Sequence, residues 1–315
     1  MDVITIGETM VLFTPNSQGH MRYATSFSRR FGGAESNVAM GLSKLGHKAG
    51  WISRVGDDEF GKALVSFLRG EGVDISQVKY DKDAPTGLYF KELRTISEFR
   101  IQYYRKGSAA SRLNVNDINE EYLKKAKYLH VTGITPALSE SCYETILHAV
   151  ELAKKNGLKV VLDPNLRINL WPEEKARKVL LELISHADIV LPGVDEGHFL
   201  YNTRDPNEIG KRILQSGAEL AVIKTGADGA YYVTEEKSER VPVVAVSDVR
   251  DPVGAGDGFC AGFLSGLLDK LSINESVARG NLVGSVVVKV DGDVEGLPDR
   301  SELSKYASHI EDVAR

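Results

Sequence analysis

The chain has 315 residues, of which 42% are hydrophobic, and a formal net charge of −5. This composition allows a sizeable core, and the acidic balance argues against a protein that binds nucleic acid or a membrane surface. Cys142 and Cys260 form no CxxC pair, which argues against a zinc site and fits a reducing compartment. No signal-peptide pattern and no apolar run of roughly 20 residues is present, so we expect a cytoplasmic protein.

Strand-like apolar runs alternate with segments of helical period along most of the chain. The predicted strands are 3–7, 49–56, 127–133, 159–165, 188–193 and 219–226. The predicted helices are 36–46, 59–73, 139–156, 173–186 and 207–216, with Asp57 or Asp58 as a candidate cap of the second. Nearly continuous apolar strands between helices predict a parallel sheet that is buried on both faces.

Two stretches break this alternation. Residues 84–106 show the period of two strands with no helix between them, and residues 10–31 also look extended. We expect them to form a small antiparallel sheet beside the main one, in the position of a lid; an edge extension of the main sheet is the alternative. Residues 229–246 are predicted to form a hairpin.

The stretch DPVGAGDGF, residues 251–259, combines a glycine turn with an acid at the start of a predicted helix. It matches neither a Walker A loop nor the GxGxxG dinucleotide fingerprint, so NAD is not expected to bind here. Backbone N–H groups of Gly254, Ala255 and Gly256 at the positive end of the helix would form an anion hole with no cationic side chain.

Asp257, in the same turn, is suited to taking a proton from a hydroxyl that attacks a phosphorus atom, which predicts phosphoryl transfer. The helix dipole is expected to help keep Asp257 ionised. The alternative is an ordinary helix start in which Asp257 only complements that dipole.

A second glycine stretch, FGGAESNVA, covers residues 31–39. Gly32 and Gly33 allow a ligand to approach the backbone, and Asn37 is expected to open a helix with a side chain that can bind hydroxyls. A capped helix after a glycine turn explains the same pattern equally well.

Taken together, GGAESN and DPVGAGDGFCAGF, at this separation, resemble the two signatures of the ribokinase/PfkB sugar-kinase family. RVGDDEFG (54–61) and KTGADGA (224–230) extend the resemblance over essentially the whole chain. The resemblance implies an α/β fold, a ribokinase-like doubly wound αβα sandwich with a small β-sheet lid. It further implies a single domain over 1–315, with lid strands from about 10–31 and 84–106.

The resemblance also implies that ATP is the phosphoryl donor, that Mg²⁺ accompanies it, and that Asp257 is the general base. The residues implied to bind ATP are Lys224, Thr225, Gly226, Gly229, Gly254, Gly256 and Asn281. Glu196 is implied to act on the metal through water, although the Asn of the family's Asn-x-x-Glu is Gly193 here. Some members hold a monovalent cation near the residue that matches Asp251, and whether K⁺ binds here stays open.

Within the family, the tyrosine and arginine positions look like those of 2-keto-3-deoxygluconate kinases. The residues implied to contact the sugar are Gly33, Asn37, Tyr89, Tyr103, Arg105, Arg167 and Asp257. Arginine pairs well with a carboxylate, so the set favours a sugar acid whose terminal 6-hydroxyl faces Asp257 and becomes phosphorylated.

Three alternatives stay open. DPNLRINLW (163–171) also resembles fructokinases of the family, which leaves a ketohexose as a second candidate substrate. The tyrosines and arginines of an antiparallel strand can also simply cover the lid or meet a second subunit, and we expect a homo-oligomer formed through the lid. A non-catalytic sugar sensor is the candidate from another class, but such a protein is expected to lose the base or the glycine turn.

Overall fold

The computed structural model describes residues 1–93, 99–243 and 249–313. Its strands are β1 (Val3–Ile6), β2 (Met10–Pro15), β3 (Phe27–Gly32), β4 (Ala49–Gly56), β5 (Val78–Asp81), β6 (Leu88–Leu93), β7 (Phe99–Tyr104), β8 (Tyr128–Thr132), β9 (Lys159–Asp163), β10 (Ile189–Val190), β11 (Leu220–Lys224), β12 (Ala230–Val233) and β13 (Ser238–Val241). Its α-helices are α1 (Ala34–Lys44), α2 (Glu59–Gly70), α3 (Glu120–Leu123), α4 (Glu140–Lys155), α5 (Glu173–His186), α6 (Val194–Tyr201), α7 (Pro206–Gln215), α8 (Ala255–Leu268), α9 (Ile273–Val287) and α10 (Arg300–Val313).

The larger sheet has nine strands in the order β13-β12-β11-β10-β9-β8-β1-β4-β5. Strands from β11 to β5 pair in parallel, while β12 and β13 form an antiparallel hairpin at one edge. The chain runs outward from β1 to β5 on one side and from β8 to β11 on the other. The strand order therefore reverses between β1 and β8, which opens a crevice at the carboxyl ends of these strands.

Apolar side chains leave the parallel strands on both faces. Val161 of β9 joins a cluster with residues of α1, α2, α8 and α9. Its neighbours Val160 and Leu162 point the other way, into a cluster with residues of α4, α5 and α7. Helices thus cover both faces of the sheet, and the predicted doubly wound αβα fold class is confirmed.

The second sheet has four strands in the order β3-β2-β6-β7. Its strands come from the two stretches that interrupt the alternation of strands and helices, and β2 pairs in parallel with β6. The sheet is separate from the larger one, so the alternative of an edge extension is wrong. Residues 94–98, between β6 and β7, lie outside the described part of the chain.

The local differences from the predicted elements are small. Helix α1 begins at Ala34, two residues before the predicted start, and Asp58 rather than Asp57 caps α2 by accepting from Gly61 N. Strand β10 is shorter than the predicted 188–193, since Pro192 has no N–H to continue the ladder. The predicted hairpin forms, but its residues 244–246 lie outside the described residues. Within the described ranges, no helix combines the length and the apolar character that crossing a membrane requires.

Candidate active site

A cavity of about 740 Å³ lies at the carboxyl edge of the large sheet, where the strand order reverses. Its volume is within the range of small-molecule sites. Residues that follow β1 and β9 line it from the large sheet, and residues of β6 and β7 line it from the small one. The start of α8 forms a further part of the wall. The two sheets therefore share one pocket.

The glycine turn forms the N-terminus of α8. Gly254 is the N-cap with φ +83°, and a Cβ at this position would overlap the carbonyl oxygen of Asp293. Both constraints require glycine. The N–H groups of Gly256 and Asp257 have no acceptor among the described residues, whereas Ala255 N donates weakly to Pro252 O at 3.4 Å. Unpaired donors at a helix start can bind an anion, but Asp257 N is not in the predicted set, and the predicted anion hole of Gly254, Ala255 and Gly256 stays a prediction.

The Asp257 carboxylate lies partly buried in the cavity wall, where Oδ2 accepts a 2.7 Å hydrogen bond from Asn37 Nδ2. Withdrawal from water raises the pKa of Asp257 from 3.8 to about 7, and repulsion by Asp163 and Asp293 adds to this shift. The hydrogen bond from Asn37 and the charge of Arg167 oppose it. The expected contribution of the helix dipole to keeping Asp257 ionised stays a prediction, and burial is the largest cause of the raised pKa. A carboxyl with a pKa near 7 is well matched to a general base at neutral pH.

Asn37 belongs to the fourth position of α1 and does not open the helix, which corrects the predicted placement. Gly33 is the N-cap, and a Cβ there would overlap the backbone oxygen of Glu8. The close approach of the two segments brings the start of α1 to the cavity. Asn37 thus touches the candidate base directly, and both residues line the cavity with Gly33.

Lys224, the last residue of β11, contradicts the expectation of an anion hole without a cation. Its Nζ lies 3.8 Å from the position that a Cβ of Gly256 would occupy. The same ammonium pairs with Asp163 Oδ2 at 2.8 Å. Withdrawal from water opposes its charge, but Asp163 and the other acidic groups nearby raise the pKa of Lys224, which keeps it protonated.

Glu196 lines the same wall of the cavity and accepts two backbone hydrogen bonds. Its Oε1 accepts from Leu166 N at 2.8 Å and its Oε2 from Gly193 N at 2.6 Å. Burial and the charge of Asp163 raise the pKa of Glu196. Each carboxylate oxygen keeps a second lone pair, and oxygen donors of this kind suit Mg²⁺ that is held mainly by phosphates. Among the described residues, no cluster of three or more His, Cys, Asp or Glu side chains could hold a metal ion without such help.

The residues predicted to contact the sugar all line this cavity: Gly33, Asn37, Tyr89, Tyr103, Arg105, Arg167 and Asp257. Tyr103 stacks on Tyr89 with ring centroids 5.7 Å apart, and Tyr89 Oη donates to Asp293 Oδ2 at 2.9 Å. Arg105 is buried and donates to Glu8 Oε2 from Nε at 2.7 Å, with Nη2 2.6 Å from the same oxygen. Arg167 is exposed and has no ion-pair partner among the described residues. The structure thus brings the predicted sugar set together at one cavity, although their roles stay predictions.

Other predicted residues lie away from this cavity. Thr225, Gly226 and Gly229 belong to the turn after β11 and are not part of the cavity wall. Asn281 is buried in α9 and donates from Nδ2 to Val241 O at 2.9 Å, so its amide holds the end of β13. Residues 244–248, which continue from this strand, lie outside the described part of the chain. The nucleotide-binding roles of these residues therefore stay predictions.

Asp251, the candidate neighbour of a monovalent cation, is buried and paired with Lys91 of β6. Its Oδ1 also accepts from Val253 N at 3.1 Å and its Oδ2 from Gly292 N at 3.3 Å. An internal ammonium thus already faces this carboxylate. A role for K⁺ beside Asp251 stays a prediction.

Four acidic residues of the cavity are absent from the sequence-based site: Glu8, Glu35, Asp163 and Asp293. Glu8 and Asp163 stand at or just after the carboxyl ends of β1 and β9, and side chains in that position of a parallel sheet are candidates for the site. Asp293 follows no strand and carries no comparable signal. It enters the cavity because the segment after α9 returns to Gly254 and Tyr89.

The arrangement of a base, an anion site and a polar cavity between two sheets agrees with the comparisons with known proteins. The model of the pfkB family carbohydrate kinases matches residues 1–300. The chain belongs to the pfkB family of carbohydrate kinases. It is 39% identical to a 2-dehydro-3-deoxygluconokinase of Bacillus subtilis (strain 168), over 98% of this chain and 96% of that protein.

Two further relatives of this pfkB kinase differ in their named substrates. A 2-dehydro-3-deoxygluconokinase of Thermoproteus tenax is 35% identical, over 97% of this chain and 94% of that protein. The probable fructokinase-7 of Arabidopsis thaliana is 34% identical, over 97% of this chain and 92% of that protein. The family is thus established, and this chain is a carbohydrate kinase.

Solved structures support the same fold. The PfkB protein from Polaromonas sp. JS666 is 42% identical with a TM-score of 0.88, over 97% of this chain and 99% of that one. A putative ribokinase II from E. coli, solved in complex with ATP and Mg²⁺, is 25% identical with a TM-score of 0.90, over 98% and 99%. A chain of the same overall fold therefore binds ATP and Mg²⁺ together.

Proposed function

We propose that this pfkB kinase transfers the γ-phosphoryl group of ATP to the terminal 6-hydroxyl of 2-keto-3-deoxy-D-gluconate. The products are 2-keto-3-deoxy-6-phosphogluconate and ADP. The observation that carries the proposal is the position of Asp257, beside unpaired N–H donors and in the same cavity as Arg105 and Arg167. A base, an anion site and cationic groups that can pair with a carboxylate thus line one cavity.

In this reaction, Asp257 accepts the proton of the 6-hydroxyl. The oxygen forms a bond to the γ-phosphorus while the bond from that phosphorus to the bridging oxygen breaks, and the electron pair leaves with ADP. The N–H groups of Gly256 and Asp257 receive the oxygens of the transferring group, which keep their negative charge through the transition state. Asn37 holds the Asp257 carboxylate in place through its hydrogen bond.

Mg²⁺, bound with the nucleotide, supplies neutralisation of phosphate charge in kinases. The residues of this chain that would hold it are Glu196, through water, and Asp163. Both carboxylates line the cavity next to Lys224, on the side of the predicted nucleotide segment. The chain thus offers hard oxygen ligands where the phosphates are expected.

The sugar acid is proposed from the arginines of the cavity. Glu8 orients Arg105 through one hydrogen bond from Nε and an ion-pair contact from Nη2, both to Oε2, and the Arg105 guanidinium lies 5.6 Å from the centre of the Tyr103 ring. Arg167 offers an unpaired guanidinium among the described residues. Relatives named 2-dehydro-3-deoxygluconokinase support this substrate, whereas the fructokinase relative supports a neutral ketohexose.

The small sheet is proposed to act as a lid, since Tyr89, Tyr103 and Arg105 belong to β6 and β7 or follow them directly. Three carboxylates outside the small sheet accept hydrogen bonds from it: Glu8 from Arg105, Asp293 from Tyr89 and Asp251 from Lys91. The exposed aromatic residues of the small sheet and its connections include Tyr23, Phe27 and Tyr104. A homo-oligomer formed through this sheet stays a prediction.

The experiment that tests the proposal measures ADP release from ATP with three sugars: 2-keto-3-deoxygluconate, fructose and ribose. We expect kcat/KM for the sugar acid to exceed that for fructose by about 100-fold or more, the scale of one lost charge-assisted pairing. A higher kcat/KM for fructose would assign the chain to the ketohexose kinases instead. Sugar binding without turnover of any of the three would favour the non-catalytic sensor.

A further inference from the structure

We infer that Lys224 is a catalytic residue that contacts the transferring phosphoryl group at the start of α8. The inference rests on the proposed function and adds a side-chain cation to the backbone anion site. The family resemblance implies only that Lys224 binds ATP and gives it no role in the transfer step. The structure shows instead that its ammonium faces the glycine turn.

The Lys224 ammonium lies beside the glycine turn. Lys224 Nζ lies 3.8 Å from the point where a Cβ of Gly256 would project, and no other described heavy atom lies within 4 Å of that point, leaving aside the neighbours of Gly256 in the chain and the backbone of its own helix. Both residues line the cavity. A phosphoryl oxygen bound to the free N–H of Gly256 would therefore lie close to Nζ. The space beside Gly256 is open on the side where Lys224 stands.

The Lys224 ammonium also has hydrogen-bond donors left for a ligand. A lysine ammonium has three N–H donors and no acceptor. Among the described residues, the hydrogen-bond acceptor of Nζ is Asp163 Oδ2, at 2.8 Å. Two donors thus stay available to a ligand. The side chain is 19% exposed, which leaves it accessible from the cavity.

Asp163 fixes the ammonium without closing the site. Its Oδ1 accepts from Asn165 N at 3.2 Å, and its side chain is almost fully buried at the end of β9. Lys224 is therefore held between a rigid carboxylate and the turn before α8. Glu196 adds a second negative charge near Lys224. Without the lysine, these two carboxylates would repel an incoming phosphate group, and the charge of Lys224 offsets this repulsion.

The chemistry explains what this cation would do. As the bond from O6 to the γ-phosphorus forms and the bond to ADP breaks, charge is spread over the three equatorial oxygens and the bridging oxygen. A preorganised ammonium beside those oxygens stabilises the transition state more than bound ATP, since removal of a single such donor typically costs about 100- to 1000-fold in kcat. We therefore expect Lys224 to affect kcat and not the affinity for ATP.

The test compares Lys224→Met and Lys224→Arg with Lys211→Met as the control, because Lys211 is exposed on α7, outside the cavity. We expect Lys224→Met to lower kcat about 100-fold or more and to change the KM of ATP less than about threefold. Lys224→Arg should recover part of kcat, and the Lys211 variant should match wild type. Because Lys224→Met removes the cation that pairs with Asp163, thermal unfolding of both Lys224 variants is the check on folding.

A binding measurement separates a catalytic from a structural role. With the sugar that wild type phosphorylates, ADP plus aluminium fluoride imitates the transferring group. Lys224→Met should weaken this complex by a factor similar to the fall in kcat, while its affinity for ADP alone stays within about threefold. Equal losses for both complexes, or a raised KM of ATP at unchanged kcat, would overturn the inference. A wild type that phosphorylates fructose instead of the sugar acid contradicts only the proposed substrate, whereas one that phosphorylates no sugar removes the inference too.

Discussion

Asn37 Nδ2 donates a 2.7 Å hydrogen bond to Asp257 Oδ2, and this bond joins the first turn of α1 to the first turn of α8. The two residues belong to the two glycine signatures of the chain. The fold brings the signatures together across the crevice at the strand-order reversal, so that one supplies a donor and the other a base. The hydrogen bond also lowers the pKa of Asp257 against the larger effect of its withdrawal from water.

The pH dependence of turnover should report this pair. Because the pKa of Asp257 is raised to about 7, kcat/KM of wild type should fall about tenfold per pH unit below that value, as the base becomes protonated. Asn37→Ala removes a hydrogen bond to the ionised form, so the acid limb should move to higher pH. The measurement is kcat/KM between pH 5 and pH 9 in both proteins. An acid limb at the same pH in the variant would show that Asn37 does not act on Asp257.

Asp257→Asn should lower kcat by about 1000-fold or more while sugar and ATP still bind, because the amide cannot accept the proton. Near-normal turnover in this variant would exclude Asp257 as the base.

The free energy of unfolding of Asp257→Asn should rise at neutral and higher pH, although its activity falls. In the folded protein Asp257 keeps its proton up to a pH of about 7, whereas in the unfolded chain it loses that proton near pH 3.8. Wild type therefore loses stability as the pH rises between these values.

The amide introduced by Asp257→Asn has no proton to lose and presents no charge to Asp163 and Asp293. We therefore expect the variant to unfold at a higher temperature than wild type at pH 8, by a few degrees, and to show a smaller difference at pH 5. Thermal unfolding at the two pH values provides the measurement. A variant that is less stable at pH 8 would contradict the raised pKa.

Gly254→Ala tests the backbone of the anion site. Gly254 has a positive φ, and a Cβ there would overlap the carbonyl oxygen of Asp293. The turn must therefore shift, and the N–H groups that follow Gly254 shift with it. We expect a loss of about 100-fold in kcat and a lower unfolding temperature. Gly70→Ala is the matched control, because a Cβ at Gly70 meets no atom within 4 Å. Similar effects of both substitutions on kcat would show that the geometry of the turn is not specifically required for catalysis.

Arg105 tests the choice of substrate. Arg105→Ala should raise the KM of the sugar acid about 10- to 100-fold and that of fructose only a few-fold. Since this change leaves Glu8 buried without its partner, Glu8→Gln/Arg105→Met is compared in parallel to keep the site uncharged. Arg112→Ala, at an exposed arginine paired with Asp81, is the control. Equal losses for both sugars would mean that Arg105 is structural.

Much of the fold could be predicted because the buried strands and amphipathic helices carry their periods in the sequence. Helix α5 and strand β4 have the predicted bounds, and the two extended stretches form the second sheet. The residues that the family resemblance implies to contact the sugar lie around one cavity.

The electrostatics of the site could not be predicted in the same way. The pKa of Asp257 depends on Asp163 and Asp293, which are distant in sequence and reach the cavity only through the fold. The position of Lys224 beside Gly256 likewise depends on the fold, which brings the end of β11 near the start of α8. Spacing along the chain carries no information on such contacts, which explains why the predicted anion hole lacked its cation.

The most direct test of the central claim identifies the product. Wild-type protein is incubated with ATP, Mg²⁺ and 2-keto-3-deoxygluconate, and the product is examined by phosphorus and carbon NMR. The account predicts one ADP released for each sugar phosphate formed, with the phosphate coupled to the C6 methylene group. Phosphate on another carbon, or ATP hydrolysed to free phosphate without any sugar phosphate, would contradict it.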